Sequence, residues 1–233
     1  MTQLLASVMN VAEADQALQG GADIIDLKNP LAGALGALPS ATIRAVTQFV
    51  NHRAPVSATV GDLPMQAEMI YRAVAKTMDD GVDYVKIGFW GATPALDCMK
   101  ALEPLTQRGG KLIAVLFADQ QPNLATLFEF AQAGFTGVML DTANKQKGNL
   151  THYLNNSELG FFVKQTQSLG LINGLAGSIG LANIPQLMIL SPFYLGFRGA
   201  LCVAQQRQAV LQAHAVKQIR EAMLNCKKDL KIA

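Results

Sequence analysis

Charge is scarce in this sequence. Of its 233 residues only 15% are Asp, Glu, Lys or Arg, against about 25% in an average soluble domain. Half are hydrophobic, and 19 basic residues against 17 acidic leave a net charge of +2. That balance excludes a disordered polyelectrolyte and argues against a broad nucleic-acid surface, which needs a clustered basic excess. A small local phosphate site stays open. Cysteine is also scarce. Cys98, Cys202 and Cys226 are far apart and odd in number, so neither a disulfide framework nor a CxxC metal pattern is present. A reducing, cytoplasmic setting is expected. The start, MTQLLASVMN, lacks the basic residues of a secretory signal. His52, His152 and His214 have no ligand spacing, and no metal is expected.

One stretch has no charge at all, from Gln165 to Phe197. A spanning helix needs about 20 predominantly apolar residues in a row. Here Gly170, Asn173, Gly174, Gly177, Ser178, Gly180, Asn183, Pro185 and Pro192 break the run. It reads as short buried strands between turns rather than a membrane segment.

What is present is an alternation. Short apolar runs at residues 4–8, 23–28, 56–60, 84–89, 112–118, 138–141, 172–176 and 194–197 predict strands. Helical spacing lies between them. Ala14, Ala17 and Leu18 share a face, as do Met69, Ala73 and Lys76. Residues 124–134 and 158–170 each end at a glycine suited to a helix C-terminus. A last helix over 208–226 carries Val210, Leu211, His214, Ile219 and Met223. Eight strand-helix units predict a closed (β/α)₈ barrel, a TIM barrel. An open doubly wound sheet normally shows GxGxxG after its first strand, and that motif is missing there. No Ser- or Pro-rich linker divides the chain, so one domain over 1–233 is expected, with a frayed tail at about 227–233. The uncharged set Leu181, Ile184, Leu187, Met188 and Leu190 points to a face covered by another subunit, hence a homo-oligomer.

In such barrels catalytic side chains come from the C-terminal strand ends. Strand two ends in Asp26-Leu27-Lys28, so Asp26 and Lys28 face one side, the interior if Leu27 meets the helices. Strand four holds Lys86. Strand six ends at Asp141, with Lys145 just beyond. A lysine among apolar walls and other cations loses its proton more readily. The neutral amine can then attack a carbonyl to form a Schiff base, and a second lysine or an aspartate can move protons. Structural ion pairing is the plainer reading of one strand lysine, but less so of three at one rim. Gly177-Ser178 and Arg198-Gly199 follow strands seven and eight, where phosphate commonly sits on backbone N–H groups. The stretch 57–62 can place Ser57 and Thr59 inward and Asp62 at the rim, the hydroxyls either filling the barrel as structure or meeting substrate.

These stretches resemble the (5-formylfuran-3-yl)methyl phosphate synthase family. The resemblance runs through residues 20–30, 56–62, 84–88, 140–145, 175–178 and 198–200, in order and over nearly the whole chain. It implies a (β/α)₈ enzyme condensing two molecules of glyceraldehyde 3-phosphate, with loss of water and one phosphate, for the furan ring of methanofuran. In the family the lysine matching Lys28 forms the Schiff base and the one matching Lys86 accepts a proton. Asp26, Asp141 and Lys145 match further active-site positions. No metal or organic cofactor, nucleic acid or membrane is implied. Family members often carry a Gly-Gly pair and an Arg after the strand-eight motif; here the stretch is Cys202-Val203-Ala204-Gln205-Gln206-Arg207. The alternatives are a Schiff-base aldolase or phosphosugar isomerase on the same barrel, and a non-catalytic barrel that binds a partner or metabolite.

Overall fold

A computed structural model describes residues 1–91 and 95–232, with 227–232 described through the backbone alone. Eight parallel strands close into a barrel in chain order. They are β1 (Gln3–Val8), β2 (Ile24–Leu27), β3 (Val56–Thr59), β4 (Tyr84–Phe89), β5 (Leu112–Phe117), β6 (Gly137–Asp141), β7 (Ile172–Leu175) and β8 (Tyr194–Phe197). The helices are α1 (Val11–Gln19), α2 (Ser40–Val50), α3 (Ala67–Asp79), α4 (Leu96–Gln107), α5 (Leu127–Gln132), α6 (Leu150–Tyr153), α7 (Asn156–Ser168), α8 (Ile184–Met188) and α9 (Ala213–Ile232). The TIM barrel read from the alternation is the observed architecture. No helix among the described residues is long and apolar enough to cross a membrane.

The two-residue period of each strand divides the core. Leu4, Ala6, Val8, Leu27, Ile87, Leu140 and Leu195 point outward and meet the helices in one large apolar shell. Inside, Leu5, Ile24, Ile113, Val115, Met139 and Tyr194 form a smaller cluster. Hiding a Leu or Ile side chain contributes about 1.5–3 kcal/mol, so the outer shell holds the barrel together and leaves its upper interior for polar groups. Gly174 sits in the interior because the Tyr194 ring fills the space its Cβ would need.

The starts of α1, α6 and α7 are held by polar side chains. Asn10 caps α1 by accepting from Glu13 N (2.9 Å), while Glu13 accepts from Met9 N (2.8 Å). At α7 Asn155 accepts from Glu158 N (3.1 Å) and Glu158 accepts from Asn155 N (2.8 Å), a full capping box. Gly134 and Gly170, with φ of 77° and 70°, end their helices as their positions foretold.

Three helix readings are corrected. In α3 the buried stripe is Ile70, Val74 and Thr77, while Met69 is 42% exposed. The β-branched pair Ile70 and Val74 packs the core, one residue on from the set read in the sequence. The segment 124–134 is a 3₁₀ turn at Leu124–Thr126, capped by Asn123 from just before it, followed by α5. The last helix begins at Ala213, buries Val216, Ile219 and Met223, and leaves His214 exposed. Leu211 is buried ahead of it, in a bridge to Cys202. The backbone of this helix continues to Ile232, where a frayed end was expected. Ala233 lies outside the described residues.

The apolar run in the seventh unit has its cover within the chain. Ile184, Leu187 and Met188 are buried in the shell and Leu190 is partly buried. Of the five only Leu181, 49% exposed, faces outward. The argument for a subunit interface drawn from this run therefore loses most of its residues.

Candidate active site

The register sets three polar side chains side by side. Ser7 of β1 pairs with Asp26 of β2, which pairs with Ser57 of β3, and all three face inward. Ser7 Oγ donates to Asp26 Oδ2 (2.7 Å) and Ser57 Oγ donates to Oδ1 (2.6 Å). Lys86, inward on β4, donates to the same Oδ1 at 3.0 Å. Asp26 is fully buried and Lys86 is 2% exposed. Across the barrel Asp141 ends β6. Its Oδ2 accepts from Lys28 Nζ at 3.3 Å, and its Oδ1 accepts from Lys145 Nζ and from Thr142 N (2.7 Å). Asp26, Lys28, Lys86, Asp141 and Lys145 thus come together in one barrel mouth. Leu27 faces the helices, as the reading of Asp26 and Lys28 required.

Burial and pairing pull these groups in opposite directions. Burial drives the Lys86 amine towards its neutral form, and the Asp26 charge offsets this only in part, so its pKa lies below the ordinary lysine value. Burial alone would raise Asp26, but the Lys86 and Lys28 charges and the two serine hydroxyls hold it below its usual value. Asp141 is pushed up by burial and pulled well below the carboxylate range by Lys145 and Lys28. Lys145 falls to about 8, through burial and the Lys28 charge, with Asp141 opposing. Three cations face two carboxylates, so the site carries surplus positive charge for an anionic ligand.

The loops that carry these lysines are pinned by carboxylates. Asp62 accepts from Ala34 N and Leu35 N, both at 2.7 Å, fixing the loop after Lys28. Thr59 Oγ1 donates to Gly36 O (3.0 Å) behind it. Gly33, at φ 107°, lies against Asp62 where no side chain fits. Asp119 accepts from Ala143 N and Asn144 N at 2.7 Å, and so sets the loop bearing Lys145. No pattern in the sequence marked Asp119.

A pocket of about 230 Å³ opens above the lysines. Its wall includes Gly177, Ser178, Ile179, Gly199 and Ala200. The backbone N–H groups of these five donate to no described group. Unpaired amides beside a cationic pocket are the kind of surface that receives phosphate. Gly177 and Ser178 both take positive φ, 101° and 53°.

Arg198 also borders the pocket, but its guanidinium is engaged elsewhere. Nε donates to Arg207 O (2.7 Å), Nη1 to Glu13 Oε2 (2.5 Å) and Ser7 O (3.1 Å), and Nη2 to Ala209 O (2.9 Å) and Glu13 Oε1 (3.2 Å). It ties the loop after β8 to α1. The Arg207 guanidinium makes one hydrogen bond among the described residues, Nη2 to Gly33 O at 3.0 Å, and lines the same pocket. Between them the stretch without glycines still takes a left-handed backbone, at Ala204 (φ 51°) and Gln205 (φ 56°), a conformation that costs a non-glycine residue about 1 kcal/mol. Glu13 and Arg198 are both buried. Glu13→Gln would leave the guanidinium charge without its partner, so unfolding by urea is expected to show a loss of about 3–5 kcal/mol. An unchanged midpoint would mean that this pair does not hold the loop.

His52, His152 and His214 are all exposed. No group of three or more His, Cys, Asp or Glu placed to hold a metal occurs among the described residues.

Solved barrels of this shape include 3-hexulose-6-phosphate synthase from Salmonella typhimurium, at 15% identity and a TM-score of 0.68 over 97% of this chain and 100% of that one. Phosphoribosyl anthranilate isomerase from Thermus thermophilus matches at 15% and 0.65, over 98% and 100%. These likenesses speak to the fold. Sequence relatives are nearer. A Methylorubrum extorquens protein provisionally named (5-formylfuran-3-yl)methyl phosphate synthase is 43% identical over 95% of this chain and 91% of its own. The Methanopyrus kandleri (5-formylfuran-3-yl)methyl phosphate synthase is 34% identical over 95% and 98%. The profile of the family described as 4-HFC-P synthase matches residues 4–220, so the chain, with its two lysine–aspartate clusters in one barrel mouth, belongs to the (5-formylfuran-3-yl)methyl phosphate synthase family.

Proposed function

We propose that this chain condenses two molecules of glyceraldehyde 3-phosphate into (5-formylfuran-3-yl)methyl phosphate, with Lys28 holding one triose as a Schiff base. The observation that carries this reading is the pair of buried lysines, Lys28 against Asp141 and Lys86 against Asp26, beneath a wall of unpaired amides. The balance is closed. Two trioses lose one phosphate and two waters and leave the six-carbon furan aldehyde phosphate, so no oxidant or reductant is needed.

The Lys28 amine adds to the aldehyde carbon of the first triose and water leaves. The protonated imine nitrogen draws electrons from the neighbouring C2–H bond, and Lys86 in its neutral form takes that proton. The electrons released expel the phosphate on C3, which leaves C3 as an electrophile. C2 of the second triose, deprotonated by Lys86 beside its own aldehyde, bonds to that carbon. The oxygen on C2 of the first triose closes on C1 of the second, and the loss of two waters, carrying the hydroxyls from C1 and C2 of the second triose, makes the ring aromatic. Hydrolysis of the imine frees Lys28. Phosphate departs as an anion, which Lys145, Arg207 and the amides of Gly177, Ser178, Gly199 and Ala200 receive. Arg198 supports this wall by holding the loop after β8, and Arg207 supplies the cation that the sequence reading had given to Arg198.

Incubation with glyceraldehyde 3-phosphate alone is expected to yield furan absorbance and free phosphate in equal amounts. A linear sugar phosphate without phosphate release would replace this reading with an aldolase. Neither product nor imine would leave a binding barrel.

A further inference from the structure

Lys86 borders two cavities. Above it lies the substrate pocket; below it, inside the barrel, lies a second space of about 90 Å³. That lower space meets Ser57, Tyr84, Ile113 and Tyr194. It shares Gln3, Ile172 and Phe193 with a wider groove of about 700 Å³ on the opposite, N-terminal face of the barrel. A water occupies about 30 Å³ and needs two to four polar partners. The lower cavity has room for a short chain of waters, and Ser57, Tyr84, Tyr194, Lys86 and Gln3 supply the partners.

Tyr194 is the odd member of this set. It is 4% exposed, yet its hydroxyl forms no hydrogen bond with any described residue. Its oxygen is not among the enclosed atoms that lack a partner; it keeps open surface in a residue that lines the lower cavity, where a tyrosine hydroxyl takes its partner from water. Burial, with Asp26, Asp141 and Tyr84 nearby, pushes its pKa well above the ordinary value, so the group stays a neutral hydroxyl that can accept one proton while passing on another.

The chemistry needs such a route. Lys86 is to take a proton from C2 of the first triose and again from C2 of the second. Between the two it must lose the first proton, at a moment when substrate fills the space above. We propose that the lower cavity is a water-filled exit through which Lys86 discharges these protons to the N-terminal face, with the Tyr194 hydroxyl as a positioning relay. This inference rests on the role given to Lys86 above. No bond to carbon changes in this step; a proton passes from the lysine to water while another leaves at the far end.

The test uses the full chain with glyceraldehyde 3-phosphate, comparing unmodified protein, Tyr194→Phe and Gln3→Leu. Tyr194→Phe keeps the ring against Gly174, and Gln3 lies at the outlet. Both variants are expected to lower kcat about tenfold, within the range for a positioned proton-transfer group. KM and borohydride trapping on Lys28 should stay unchanged, and the solvent deuterium isotope effect on kcat should rise as discharge becomes limiting. Unchanged kcat and isotope effect in both variants would overturn the proton exit and leave the Lys28 reading intact. Loss of trapping in both would overturn it as well, by assigning them a structural role. An unmodified protein that forms neither adduct nor furan would bring down the exit and the function together.

Discussion

Borohydride added during turnover is expected to fix triose carbon on Lys28, and Lys28→Ala is expected to abolish both the adduct and furan formation. The loss in kcat should be on the order of 10⁴-fold or more, as when a covalent nucleophile is removed. The reason lies in how the C2 proton is made acidic. Without an imine, no cationic nitrogen accepts the electrons of the C2–H bond, and Lys86 faces an unactivated carbon. The fold should survive the change. Asp141 keeps Lys145 and the Thr142 N–H, so its buried carboxylate is not stranded. Peptide mapping decides the assignment. An adduct on Lys145, whose pKa burial pushes down to about 8, would move the Schiff base to the other lysine on Asp141. Full turnover and equal trapping in Lys28→Ala would remove Lys28 from the chemistry.

The barrel and the cluster in its mouth were legible for a common reason. Every strand is buried on both faces, so each reads as a short apolar run, and a charge within one stands out. Lys86 in β4 and Asp26 in β2 are visible on that ground alone. The face of α3 was misread because Met69 and Ile70 are equally apolar and only packing chooses between them. What the sequence hid is whatever depends on distant partners. Arg198 follows a strand-eight phenylalanine and looks like a phosphate ligand, but Glu13, 185 residues earlier, claims it. The Asn10-x-x-Glu13 spacing does signal a helix cap, yet nothing in it foretells a buried ion pair. Asp119 stands in a 3₁₀ turn with no motif around it and Asp62 reads only as a rim residue, and only the fold shows that each gathers two amides. Arg207 lies in a stretch without the expected glycines, whose backbone takes left-handed turns all the same.

Lys86→Met is expected to separate imine formation from proton transfer. The Lys28 adduct should still be trapped, while furan formation falls about 10²- to 10⁴-fold, the share a general base supplies. Asp26 retains the Ser7 and Ser57 hydroxyls in this variant, which limits the disturbance from the lost cation. Asp26→Asn tests the tuning of the same amine through the sign of a pH shift. Lys86 can accept a proton only when neutral, so kcat should rise with pH through its pKa. The negative charge of Asp26 favours the ammonium form and raises that pKa against the pull of burial. Removing the charge lets the amine deprotonate at lower pH, so the rising limb of the profile should move in the acid direction. A purely structural role for Asp26 would lower the whole profile without moving its limb. A limb that moves towards alkaline pH would mean that the carboxylate, and not Lys86, is the base.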